Sequence, residues 1–480
     1  MAHELVITNA AIDVSSSHSR LSPGVGILLL VVIHVPLALV MKANPTISTI
    51  HALTVGVIGV WVALRRASMS QVAYVAAYIT GAEVIWRMTE AGVFWEYGKY
   101  ASSAIMILAL LRHRALKIPL PALLYFLALL PGVIIPIQLL GMRARDALSF
   151  NLSGPLALMV SAWFFSYTTF SKTHLERLLW ALIIPVVGIA SITFVSVQGP
   201  IAWSGSSNFE ASGGFGANQV SVALGLGALA VWILLLYMKV RHFTVPVTVG
   251  TALLGLWFMA QALLTFSRGG VVNALIPAAL IMALIFVRKG QRAKIIPLTV
   301  GVLTFIFVLL PALDSFTGGS LSARYSETGA KAATGRDRII EADLSAFLEN
   351  PVTGLGVGQG ADYRTAFYGE VIDSHTEYTR LLAEHGLLGV EALIMLVVMV
   401  GVNLWRSRSN LIGQSMVIGM ASWSTISLVH AGMRTVAPSF TFGLQFARVE
   451  DEEESAAKEE APDPEVKGEV VVSPPKIGRD

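Results

Sequence analysis

Apolar runs near 18 residues long recur throughout this 480-residue chain, and each is long enough to cross a bilayer core of about 30 Å. A backbone in lipid must satisfy its own hydrogen bonds, so such runs fold as helices. Composition agrees: 54% of the residues are hydrophobic and 14% charged, against about 25% charged in soluble domains. The chain reads as an all-α, polytopic transmembrane helical bundle of about 12–14 spans, with one long loop containing short helices. The first apolar run, residues 24–41, is long for a signal-peptide core and lacks a small-x-small cleavage site after it, so it reads as a retained membrane helix.

The net charge of +3 hides an asymmetry. Basic residues fall in every second connection: Arg65-Arg66, Arg112/Arg114/Lys117, Lys172/Arg177, Lys239/Arg241, Arg288/Lys289/Arg292/Lys294 and Arg406/Arg408. The positive-inside rule then sets the N-terminus in the cytoplasm, and residues 199–215, Arg268 and the long polar segment outside. The expected organisation is membrane helices over 1–312, an extracytoplasmic loop over 313–385, C-terminal membrane helices over 386–448 and an acidic cytoplasmic tail over 449–480. That tail has almost no aromatic residues and cannot bury a core, so it reads as disordered. The absence of cysteine excludes disulfides, thiolate nucleophiles and Cys-ligated metal sites.

Within the long loop, Ile339, Ile340, Leu344, Phe347 and Leu348 form an apolar stripe at helical spacing, which predicts a helix from Arg336 to Asn350. Asn350-Pro351 stops it. The glycine-rich run 354–360 has no strand before it and no Gly-Lys-Ser/Thr after it, so it reads as a structural turn rather than a phosphate loop. Ser374 and Glu377 match a capping box, which predicts a helix starting at Ser374 and ending at Gly386. His375 then sits in the first turn, where the helix dipole disfavours imidazolium. A neutral imidazole there can take a proton from a hydroxyl. Alternatively, His375 is an ordinary exposed helix-start residue.

Other candidates are cationic or amide groups at the same predicted surface. Arg268 lies in Thr265-Phe266-Ser267-Arg268-Gly269-Gly270, between two apolar spans. It either snorkels to headgroups or presents a guanidinium fork to a phosphate, with Ser267 and the glycine amides as further donors. Arg336 and Arg338 open the amphipathic helix against its dipole, and a bound anion would account for that position. The alternative is local pairing with Asp337. Asn218 and Gln219 open another span, where they either bind sugar hydroxyls or cap the helix.

Taken in order, these motifs resemble the O-antigen ligase family, which also holds Wzy-type O-antigen and exopolysaccharide polymerases. They are Gly-Phe-Gly-x-Asn-Gln before a span, Phe-Ser-Arg-Gly-Gly between spans and Gly-Arg-Asp-Arg in the loop. Asn-Pro-x-x-Gly-x-Gly then leads to Ser-His-x-x-Tyr-x-x-x-Leu-x-Glu-x-Gly-x-x-Gly. The resemblance covers roughly residues 210–405. It implies a multi-pass glycosyltransferase of the bacterial cytoplasmic membrane, acting on its outer face without cofactor, metal or nucleic acid. The implied donor is a glycan on undecaprenyl diphosphate. The implied acceptor hydroxyl lies on another glycan, lipid A core or a protein. Arg268 and Arg336 match the family's essential arginines and His375 its histidine, while Arg338, Asn218, Gln219, Ser267 and Tyr378 are candidate substrate-binding residues. Most relatives carry His-Asn where this chain has His375-Thr376. A competing reading is a transporter or flippase for a lipid-linked glycan, for which Glu83 is the one clear acidic residue within a span.

Overall fold

The computed structural model describes residues 23–65, 67–203, 207–237, 245–288, 290–326, 336–369, 374, 376–430 and 433–450. Helices α1 (Pro23–Ala43), α2 (Pro45–Leu64), α3 (Met69–Met88) and α4 (Tyr97–Arg112) follow one another through short connections. Next come α5 (Leu120–Leu129), α6 (Ile134–Leu140) and α7 (Ala144–Ser166), then α8 (Lys172–Ser196), α9 (Ala217–Tyr237), α10 (Val245–Leu264) and α11 (Arg268–Val287). Helix α12 (Ile296–Thr304) continues through a π-helical stretch, Phe305–Leu309, into α13 (Leu310–Phe316). The polar segment carries α14 (Ser320–Ser326), α15 (Arg336–Glu349), α16 (Gly360–Tyr368) and α17 (Glu377–His385). The chain then returns through α18 (Leu387–Arg406), α19 (Leu411–His430) and the short α20 (Val436–Leu444).

Local sequence explains the sharp starts. Asn44 accepts the amide of Thr46 ahead of Pro45, and Ser68 with Gln71 forms a complete capping box for α3. Among the described residues, 10 stretches are long and apolar enough to cross a membrane, with Leu120–Ser166 taken as one. The chain is a polytopic helical membrane protein. Helices α4 and α20 are shorter, at 16 and 9 residues. Helices α8 and α9 are buried along most of their length and form the centre, with α3 packed on α8 and α10 and α11 on α9. At the periphery, Leu28, Leu29, Val32 and Phe307 are exposed, as lipid-facing side chains are. Helices α9 and α11 meet backbone to backbone, and a Cβ on Gly270 would lie 1.9 Å from the Ser221 carbonyl oxygen. Small residues permit such approach where lipid supplies no hydrophobic driving force.

Hydrogen bonds mark the two ends of the bundle. At one end Arg112 donates to Ala67 O, the Tyr167 hydroxyl takes the Lys117 amide, and Arg288 donates to Gln414 and Arg408 O. A two-residue parallel pair, Thr169–Phe170 with Arg448–Val449, joins the same end, as does Asn410 bonded to Val449 O. The described basic connections gather here. At the opposite end Lys42 donates to Met88 O and Gly213 O, the Asn208 amide to Thr265 O, and the Val357 amide to Gly132 O. The polar segment folds over this second end.

Candidate active site

The turn before Arg268 is forced into shape. Phe266 has φ +59°, a left-handed conformation that costs a non-glycine residue roughly 1–2 kcal/mol. It is held there from several sides. Its buried ring stacks on Trp203 (centroids 5.5 Å apart), and Arg324 Nε donates to its carbonyl. Ser221 Oγ donates to Ser267 O at 3.0 Å and accepts the Gly270 amide at 3.1 Å. Ser267 Oγ donates to Asn218 Oδ1 at 2.7 Å. The half-buried Arg268 therefore leaves the first turn of α11 on a rigid base. Tyr325 lies beside it and Arg324. Burial raises the pKa of the Tyr325 hydroxyl against the pull of both arginines, and it has no hydrogen-bond partner among the described residues.

One residue along from Asn218, Gln219 Oε1 accepts from Arg87 Nη1 at 2.8 Å. Arg87 also donates to Glu83 at 2.7 Å, to Arg434 O at 2.8 Å and to Trp95 O at 2.9 Å, and it lies over the Trp95 ring. The second oxygen of Glu83 accepts the Val436 amide at 2.6 Å and so caps α20. Glu83, the one acidic residue behind the transporter reading, is thus an ion-pair partner and a helix cap. Arg434 in turn donates to Ser374 O at 3.1 Å. A string of bonds therefore runs from the Arg268 turn through Asn218-Gln219, Arg87 and Arg434 to the residue preceding His375.

His375 itself lies outside the described residues. The helix after it starts later than the capping box predicts: α17 begins at Glu377 with Thr376 as N-cap and no side-chain cap bond. The cause is a stronger partner. Glu377 grips Arg380 in a two-pronged ion pair, so its carboxylate does not turn back to Ser374, whose hydroxyl donates to Thr376 O instead. Arg380 also donates to Glu384 at 2.6 Å. Burial raises the pKa of the Glu384 carboxyl, opposed by Arg380 and by the Gly358 amide.

The Glu-x-Gly-x-x-Gly element thereby has a physical account. Gly386 ends α17 with φ +58°, and a Cβ on Gly389 would stand 2.0 Å from Leu381 O. The glycine-rich turn docks on the same helix, with the amides of Leu355 and Gly356 bonded to the carbonyls of Ala383 and Glu384. Helix α15 spans Arg336–Glu349, close to the expected range. Its Asp343 is buried, bonded to Arg364 at 2.5 Å and to Thr379 at 2.7 Å, and burial raises its pKa. His385 is buried too, and desolvation, aided by Arg380, lowers its pKa to about 3.

Between the start of α7 and this charged layer lies a cavity of about 260 Å³, lined by Phe150, Asn151, Arg364, Glu377, Arg380, Glu384 and Arg434, with Ser374 on its wall. Of the residues predicted from sequence, Ser267, Asn218 and Gln219 join the network next to Arg268. Arg336 is the first residue of α15, and its side chain lies outside the described residues. Arg338 is exposed and stacks over Tyr368 at 4.2 Å. The Tyr378 hydroxyl donates to Thr425 O at 2.8 Å and ties α17 to α19. Sequence reasoning missed Arg87, Arg324, Arg364 and Arg434. The one sequence signal that could have found any of them is a Glu–Arg pair four residues apart within an apolar helix, Glu83 and Arg87.

Residues 253–394 match the family model described as O-antigen ligase (Wzy_C). No curated protein matches the chain. The matched stretch contains Arg268, Arg336, His375, Arg380 and Glu384, whereas Glu83, Arg87, Asn218, Gln219 and Arg434 lie beyond it. This match supports the assignment of the chain to the O-antigen ligase family, and with it a membrane glycosyl-transfer role in polysaccharide synthesis.

Proposed function

We propose that the chain transfers a glycan from an undecaprenyl-type lipid diphosphate to an acceptor hydroxyl at the extracytoplasmic face of a bacterial cytoplasmic membrane. The observation that carries this reading is the bonded string joining the Arg268 turn to Ser374, because it holds a cationic corner and the neighbour of the expected base in one framework. Sidedness follows from charge: the basic connections gather at the opposite end of the bundle, and the positive-inside rule sets that end in the cytoplasm.

In this mechanism Arg268 and Arg324, with Arg336 from the start of α15, hold the donor diphosphate. The acceptor oxygen attacks the anomeric carbon of the donor sugar. The bond from that carbon to the phosphate oxygen breaks, and the lipid diphosphate leaves with the electron pair. Fixed guanidinium groups offset its developing charge. The hydroxyl proton passes to His375, the general base. The acceptor is lipid A core or a protein for a ligase, and another repeat unit for a polymerase; the same chemistry serves both. Gene deletion with glycan profiling tests the reading. Single repeats attached at the surface identify a polymerase, and long unattached chains on the carrier identify a ligase. A surface glycan unchanged in length and attachment would remove the proposed activity.

A further inference from the structure

The cavity beside Ser374 is walled by charged side chains that are themselves out of water. The side chains of Arg364, Glu377, Arg380 and Glu384 are 8% exposed or less. Buried charges are stable only where their hydrogen-bonding capacity is met, so a void among them calls for a polar occupant. At about 260 Å³ it lies near the lower end of the ~300–1,000 Å³ of small-molecule sites. That is room for a sugar ring.

Charge decides which polar occupant. Three guanidinium groups line the cavity, those of Arg364, Arg380 and Arg434. Glu377 and Glu384 bracket Arg380, and Asp343 holds Arg364, while the buried Lys99 lies over the Phe150 ring with its ammonium on Met433 O, so one positive charge is left in excess around the cavity. An alternating array of donors and acceptors suits vicinal hydroxyls, and its buried carboxylates oppose a diphosphate, whose charge one surplus cation does not offset. Phe150 offers an apolar face and Asn151 an amide on the facing wall. We infer that this cavity binds a sugar ring of the acceptor glycan, beside Ser374 and Arg434. The acceptor role rests on the transferase reading above; the sugar site itself does not.

The test is saturation-transfer NMR on the full chain in lipid nanodiscs, since maltoside detergents bring sugars of their own. Glucose and N-acetylglucosamine are the probes, and inorganic pyrophosphate is the competitor. Ala361→Trp fills the cavity from α16 without replacing a charged residue, and Ala147→Trp fills it from α7 should the first variant not fold. Wild type should show saturation of a sugar that pyrophosphate does not displace. A folded filling variant should bind that sugar about tenfold more weakly or worse, the effect of losing a hydrogen-bonded contact. In the transfer assay it should raise the acceptor KM and leave the donor KM unchanged. No sugar signal in wild type, an undiminished signal in the filled variants, or displacement by pyrophosphate would overturn the site. A chain that binds sugar yet transfers no glycan keeps the site and removes the transferase reading.

Discussion

Arg87 offers the most direct measure of how the site is held together. Its side chain is 7% exposed and that of its partner Glu83 3%, so neither charge is screened by water. Arg87→Met leaves the Glu83 carboxylate buried without its counter-ion, a change that costs about 3–5 kcal/mol. Arg87→Lys keeps the charge, but one ammonium cannot replace a fork that reaches Gln219, Glu83, Trp95 and Arg434 together. Losing the Gln219 bond alone costs about 1.5–3 kcal/mol. The double variant Glu83→Gln/Arg87→Met removes both charges and should be more stable than Arg87→Met. Unfolding is followed in nanodiscs by denaturant, and transfer is measured well below each melting temperature. Releasing Gln219 also frees Asn218 and the Ser267 turn, so folded Arg87→Lys should lose about 10²-fold in turnover, the scale of a misplaced catalytic group. Arg87→Met within about 0.5 kcal/mol of wild type, or Arg87→Lys with full turnover, would refute the bridging role.

Other outcomes follow from the same framework. Arg268→Lys and Arg336→Lys should weaken donor binding, while His375→Ala should slow transfer about 10²–10⁴-fold with donor affinity retained; a purified transfer assay with lipid-diphosphate-linked glycan separates the two effects. His385, with its pKa lowered to about 3, holds fewer protons folded than unfolded below its ordinary value. Stability should therefore be full above about pH 6.5 and fall on acidification, by on the order of 3 kcal/mol down to about pH 4.5, and His385→Gln should flatten that slope in pH-dependent unfolding. Gly270→Ala would drive a Cβ to within 1.9 Å of Ser221 O, and the α9–α11 pair should yield little folded protein by size-exclusion chromatography. A cysteine at Ser320 should be labelled in intact spheroplasts; labelling only after permeabilisation would reverse the topology.

The membrane architecture was legible because lipid imposes it: apolar runs of spanning length have few alternatives to helices. The stripe from Ile339 to Leu348 marked α15, and Gly386 marked the end of α17, because both signals are local. The capping box at Ser374 misled for an equally local reason, since it ignored that Glu377 has an arginine three residues on. Arg87 was opaque for a different reason. Glu83 and Arg87 look like a routine pair one turn apart, and nothing in sequence shows that the guanidinium also meets Gln219, 132 residues later, and Arg434, 347 residues later. Such partners exist only once α3, α9 and α20 are packed. Arg364 was hidden likewise, since Asp343 lies on another helix and 21 residues away.

The string of bonds through Arg87 limits how this protein can be recombined. A chimaera that exchanges only residues 253–394 with a relative would import the Arg268 turn and the His375 segment. It would leave behind Gln219, Arg87 and Arg434, which fix the spacing between them. The boundary of sequence similarity and the boundary of the mechanical unit do not coincide. A graft that keeps its activity should need the end of α3, the start of α9 and residues 433–436 from the same parent. Natural exchange within such genes should leave those scattered pieces travelling together.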